Sequence, residues 1–109
     1  MDRTLSALAD PTRRAILARL STGERRVTEL AVPFDMSLNA ISKHIKTLER
    51  AGLVRRRRAG RTHFITADPA PIEAAAKWFD RQRQFWNTRL DRLESLLAAE
   101  DNLEGGRDE

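Results

Sequence analysis

The stretch from Pro71 to Glu100 constrains this chain more than any other feature. After Pro69 and Pro71 break the preceding segment, it reads as one helix of about 30 residues, roughly 45 Å long at 1.5 Å per residue. A compact domain of about 100 residues has a radius of gyration near 13 Å. The rest of the chain is therefore too small to cover such a helix. Its apolar face is also wide. Ile72, Ala75, Phe79, Trp86, Leu90, Leu93 and Leu97 make one stripe. Trp78, Phe85 and Leu96 make a second, roughly 80–100° away around the axis. Lys77, Asp80, Gln84, Thr88, Asp91 and Ser95 take the polar side. Two apolar stripes predict two packing surfaces, one against the helix's own domain and one against a second subunit. The four-three-four spacing from Trp86 through Leu90 and Leu93 to Leu97 suits packing of helix against helix. A two-fold symmetric homodimer is the expected assembly.

Charge is the second constraint. The 109 residues include 20 Lys and Arg against 16 Asp and Glu, for a net charge of +4. The excess is not spread evenly. Residues 43–63 carry eight basic side chains (Lys43, Lys46, Arg50, Arg55, Arg56, Arg57, Arg58, Arg61) against Glu49 alone, a net of +7. Residues 64–109 carry six basic and ten acidic residues, a net of −4. No apolar run approaches the roughly 18 residues a membrane-spanning helix needs. The start, Met1-Asp2-Arg3-Thr4, leads into no apolar segment, so no secretory signal and a cytoplasmic setting are expected. The absence of cysteine excludes disulfides, thiol nucleophiles, zinc fingers and iron–sulfur clusters.

The elements between these extremes follow from local chemistry. Leu5 and Leu8 suggest a short first helix. Asp10-Pro11 starts a second, with Asp accepting from free N–H groups and Pro at the first helical position; Ile16 and Leu20 are its core residues. A third short helix begins near Val27 or Thr28, carries Leu30 and Ala31, and is bent or ended by Pro33. Ser37 caps a fourth, which runs to Ala51 and stops at Gly52. Ile41, Ile45 and Leu48 form its inner stripe, while Asn39, Ser42, Lys43, Lys46 and Arg50 face outward. Leu53–Arg58 and Arg61–Ala67 read as two strands around an Ala59-Gly60 turn. The expected fold is mainly α with a small β-hairpin: four helices, a two-stranded wing and a long C-terminal helix. Residues 1–100 form a single domain, with the dimerising helix at about 71–100 and a disordered tail at 101–109.

The order of these pieces points to duplex DNA. The third and fourth helices, joined through Phe34-Asp35-Met36-Ser37, form a helix-turn-helix. The outer face of its second helix suits a major groove. Asn39 can bond an adenine edge bidentately, Lys43 and Lys46 can reach guanine or phosphate, and Ser37 and Ser42 read either partner. His44 sits at the margin of this helix, as a hydrogen-bonded histidine or a phosphate contact. Arg57, Arg58 and Arg61 on the hairpin would reach phosphates or a minor groove. An enzyme is not expected. There is no cysteine, no glycine-rich phosphate loop and no grouping of histidines with acids. A winged helix serving only protein–protein contact is the rival reading, and four consecutive arginines argue against it. RNA binding would call for exposed aromatics on the basic face, and that face has none.

Four blocks give a specific resemblance. Leu8-Ala9-Asp10-Pro11-Thr12-Arg13-Arg14-Ala15-Ile16-Leu17, Glu29-Leu30-Ala31, Phe34-Asp35-Met36-Ser37, and the run from Ile41 to Val54 together resemble the ArsR family of winged helix-turn-helix repressors. The likeness covers residues 5–98. It implies a homodimer formed by the first and last helices, with Leu5 and Leu8 joining Phe79, Trp86, Leu90, Leu93 and Leu97 at the interface. It also implies operator binding by the Ser37–Ala51 helix, with Arg55–Ala67 as the wing. Many relatives sense metals through cysteine on the third helix or acid–histidine pairs on the last. This sequence has no cysteine, and its last helix reads Asp80-Arg81-Gln82 and Asp91-Arg92-Leu93-Glu94, without histidine. Zinc prefers thiolate or imidazole to carboxylates alone. No metal or other cofactor is therefore expected. The resemblance places the chain with relatives that lack a metal site and whose signal is often unknown; a metal-responsive repressor with a non-standard site is the alternative within the family.

Overall fold

The computed structural model describes residues 1–107, with side chains described through residue 102. Two compact units divide the chain, Met1–Ala75 and the segment from Ala76 onward. In the first, α1 (Asp2–Leu8) and α2 (Pro11–Leu20) are followed by β1 (Arg25–Arg26), α3 (Val27–Ala31), α4 (Leu38–Arg50), β2 (Val54–Ala59) and β3 (Thr62–Ala67). A last helix, α5, runs from Ala70 to Arg107.

The helix starts follow the predicted capping chemistry. The Asp10 carboxylate accepts from the N–H groups of Thr12 at 2.8 Å and Arg13 at 3.2 Å, with Pro11 opening α2. Ser37 Oγ accepts from the N–H of Ala40 at 3.1 Å and so fixes where α4 begins. The end of α4 is equally well defined. Gly52 takes φ +73°, and the N–H groups of Gly52 and Leu53 donate back to the carbonyls of Glu49 (2.9 Å) and Leu48 (3.0 Å). This double bond pattern needs the left-handed conformation that glycine adopts at least cost. Pro33 ends α3 rather than bending it, since the helix closes at Ala31.

The core lies where α2, α3, α4 and the sheet meet. Ile16, Leu30, Ile41, Ile45, Leu48, Leu53 and Ile65 are fully buried there. All three residues of the inner stripe predicted for α4 belong to this set.

The sheet departs from the two-stranded expectation. It has three antiparallel strands in the order β1-β3-β2, because Arg25 and Arg26 pair with Ile65 and Phe64. Two residues are too few to show the alternation that marks a strand in sequence. Between β2 and β3, Ala59 pairs with Thr62 around Gly60 and Arg61. Gly60 has φ +62° and Arg61 does not share a positive φ, the pattern of a type II′ turn.

In the second unit the helix continues past Glu100, through part of the segment expected to be a disordered tail, and takes in residues up to Arg107. No proline interrupts it there, and glycine at 105 and 106 weakens a helix by only about 1 kcal/mol each. Residues 108–109 of the expected tail lie outside the described residues. Burial along α5 stops at Ala75. From Trp78 to Leu97 the large apolar residues of both stripes are exposed, Trp86 and Leu90 at 58% each. Edge-on aromatic pairs, Trp78–Phe79 and Phe85–Trp86, stud this face at centroid separations of 5.1 and 5.7 Å. No described helix is long and apolar enough to cross a membrane.

Candidate nucleic-acid interface

Helix α4 is held by its buried aliphatic face, so its other face is presented as a fixed surface. Asn39, Lys43, Lys46 and Arg50 are exposed on it, with Ser42 half-buried beside them. Ser37 is exposed at the helix start, its hydroxyl engaged in the cap. His44 turns to the margin. It is half-buried, with Nδ1 3.4 Å from Nη1 of Arg13. Arg13 in turn donates to the carbonyls of Ala7 (2.6 Å) and Ser6 (3.2 Å) and lies 3.9 Å from Asp10. Arg14 donates to the Leu8 carbonyl at 2.8 Å. Both arginines of that family-like block thus tie α1 to α2.

The wing arginines divide into two groups. Arg56 donates twice to Glu49 of α4, at 2.6 and 3.0 Å, and its Nη1 lies 3.0 Å from His63 Nδ1. Arg55 pairs with Asp68 at 3.0 Å. Arg57 pairs with Glu24 at 2.7 Å and stacks on the Phe64 ring at 4.3 Å. The Arg57 guanidinium holds the Glu24 carboxyl below its ordinary pKa. For Asp68 the Ala70 N–H does most to lower it, helped by Arg55. Three of the eight cations in residues 43–63 are therefore matched by acids, two of which come from outside that stretch. The other five are Lys43, Lys46 and Arg50 on α4 and Arg58 and Arg61 at the wing tip. Their side chains make no ion pair or hydrogen bond among the described residues, and all five are exposed.

Between α4 and the wing lies an open cleft of about 330 Å³. Arg26, Leu38, Ser42, Arg56, Arg61 and His63 are among its lining residues. Sequence reasoning does not single out Arg26 or Leu38 for this site. Arg26 reaches the cleft only because β1 joins the sheet, and Leu38 falls on the apolar side of α4 by periodicity. Among the described residues no three His, Asp or Glu side chains come together as a metal site requires. Asp80 instead pairs with Arg83 at 3.2 Å. The carboxylates of the Asp80 and Asp91 stretches, with no thiolate or imidazole beside them in sequence, are not the donor set zinc prefers.

A helix-turn-helix whose second helix shows amide, hydroxyl and ammonium groups, followed directly by a basic hairpin, defines a winged helix-turn-helix DNA-binding domain. Known proteins share this architecture. A helix-turn-helix domain family matches residues 8–57. The HTH-type transcriptional regulator Rv2034 of Mycobacterium tuberculosis is 40% identical over 99 residues, spanning 91% of this chain and 90% of that protein. The transcriptional repressor SdpR of Bacillus subtilis is 28% identical over 78 residues, 72% of this chain and 87% of that one. The crystal structure of the ArsR family transcriptional regulator RHA00566 superposes with a TM-score of 0.76 at 43% identity, covering 79% of this chain and 89% of that one. The chain belongs to the ArsR family of helix-turn-helix transcriptional regulators, and it is a DNA-binding regulator of transcription.

Proposed function

We propose that the protein is a homodimeric, cytoplasmic repressor, without enzymatic activity, that binds an inverted-repeat operator. The observation that carries this reading is that the five cations of residues 43–63 with no partner among the described residues all lie on α4 and the wing tip, with an exposed Asn39 on the same helix. In this reading Ser37, Asn39, Ser42, Lys43 and Lys46 meet the major groove, with His44 at its edge. Arg57, Arg58 and Arg61 meet the backbone or an adjacent minor groove. The dimer forms through Leu5 and Leu8 with Phe79, Trp86, Leu90, Leu93 and Leu97, and each subunit takes one half-site. Repression rather than activation rests on the family resemblance alone, since both a repressor, SdpR, and an activator, HlyU of Vibrio cholerae, are similar to the chain. An effector other than a metal is the expected releasing signal. The domain comprises residues 1–100, with dimerisation assigned to α5.

Selection of bound fragments from a random DNA library is the direct test, and an inverted repeat is the expected product. On the selected site, Asn39→Ala is expected to cost about 1–3 kcal/mol and to relax preference at one base pair per half-site. Equal weakening on selected and random duplex would count against base reading by Asn39. Glu24→Gln tests the wing independently. It leaves Arg57 charged without its acid, so affinity should rise a few-fold at low salt. The slope of log affinity against log salt should steepen by up to about 0.9 per newly engaged phosphate. Unchanged affinity and slope would show that Glu24 does not compete with DNA for Arg57.

A further inference from the structure

We propose that Leu38 reads a thymine methyl group, and so is a specificity-determining residue at the leading end of α4; this rests on the reading of α4 as the helix that enters the major groove. By helical spacing Leu38 continues the buried stripe of Ile41, Ile45 and Leu48, and a core position would be expected for it. The structure instead leaves it 51% exposed, while those three are fully buried. The cause is its place in the chain. Leu38 is the first residue of the helix, directly after the Ser37 cap. Side chains in a helix tilt toward the N-terminus, so that of Leu38 leans past the helix start, beyond the reach of the core beneath.

Its neighbours say what could cover it. Leu38 lines the cleft together with Arg61, whose guanidinium has no partner among the described residues and suits a phosphate oxygen, and with Arg26 and Arg56, which are paired with Glu29 and Glu49. Next in sequence is the exposed amide of Asn39, which suits a base edge. A half-exposed aliphatic side chain, with the half-buried Val27 also on the cleft wall and a phosphate-binding and a base-binding group to either side, is matched by one feature of the major groove. The thymine C5-methyl is the apolar group displayed there, and aliphatic contact with it distinguishes thymine from the other bases. The N-terminal residues of a recognition helix are also the ones that approach base edges. Leucine at this position therefore adds a base preference that the polar residues of α4 do not supply.

The test uses the full chain and a duplex selected by it from a random library, with each thymine replaced in turn by deoxyuracil in both half-sites. This removes only the methyl group. For the native chain, one such replacement is expected to weaken binding about fourfold per half-site, the worth of one buried methyl group. Leu38→Ala should weaken binding to the selected duplex and remove the difference between thymine and deoxyuracil at that position. Its affinity for random duplex and its salt dependence should not change, which also shows that the variant is folded. The proposal is overturned if no replacement affects the native chain, or if Leu38→Ala keeps the full methyl dependence. Indifference of the native chain between selected and random duplex would overturn the reading of α4 itself, a result distinct from methyl-independent but sequence-specific binding.

Discussion

Replacing Arg58 and Arg61 together with alanine is expected to weaken binding to every duplex, selected or random, by about tenfold for each phosphate left without its guanidinium. In a dimer the two changes remove four cations, so the combined weakening is on the order of 10⁴-fold. The reason lies in which arginines are already matched. Arg55, Arg56 and Arg57 each pair with an acid, whereas the exposed Arg58 and Arg61 have no such partner among the described residues. A phosphate meeting an unpaired guanidinium displaces only water and counterions. A phosphate drawing on Arg57 must also break its bond to Glu24. The signature is a salt slope reduced by about 0.9 for each phosphate no longer neutralised, measured by anisotropy across a salt series, with the ratio of selected to random affinity nearly unchanged. A preserved slope would remove both residues from the interface. The corresponding Arg56→Ala variant should behave differently. It leaves Glu49 without its partner and loosens the wing from α4, so its effect should appear in thermal stability as well as in binding.

The second large effect concerns assembly. Trp86→Ala is expected to destabilise the dimer by about 3–5 kcal/mol if the indole is fully buried between subunits, which weakens dimerisation more than a hundredfold. Trp86 is 58% exposed in the single chain, and Leu90, Leu93 and Leu97 are each more than half exposed beside it. A contiguous apolar strip of this kind is rare on a soluble monomer and marks an interaction surface. Sedimentation across a concentration series gives the dimer constant directly. Binding to a duplex with a single half-site should be little affected, while binding to an inverted repeat should fall as the dimer dissociates. A native chain that sediments as a monomer at all concentrations would remove this prediction along with the proposed assembly.

Much of the fold is legible where chemistry is local. Asp10 before Pro11, Ser37 before Leu38 and Gly52 after Ala51 mark helix ends because each satisfies nearby backbone groups. The spacing of Ile41, Ile45 and Leu48 assigns one face of α4 to the core, and the outward positions of Asn39, Lys43 and Lys46 follow from the same periodicity. What escapes is non-local. The pairing of Arg57 with Glu24 spans 33 residues, and no periodicity announces it. Counting charges therefore treats all four consecutive arginines as equivalent, when three are matched inside the protein. The strand at Arg25–Arg26 exists only because β3 offers it an edge. Leu38 shares the helical spacing of the inner stripe yet is half exposed, for a related reason. A repeat identifies a helix's inner face but not where the body beneath that face ends.

The link between Arg56 and Glu49 has a mechanical side. It joins the wing to the recognition helix through two short bonds to one carboxylate oxygen, with His63 bracing the same guanidinium. In the proposed complex this link would hold helix and hairpin near one span, as the two jaws of a caliper. A mismatch between that span and the groove geometry would then be absorbed in part by bending or twisting the duplex. Sites whose steps are already compressed, or flexible enough to comply, would bind at lower deformation energy. Discrimination would therefore extend to base pairs that no side chain touches.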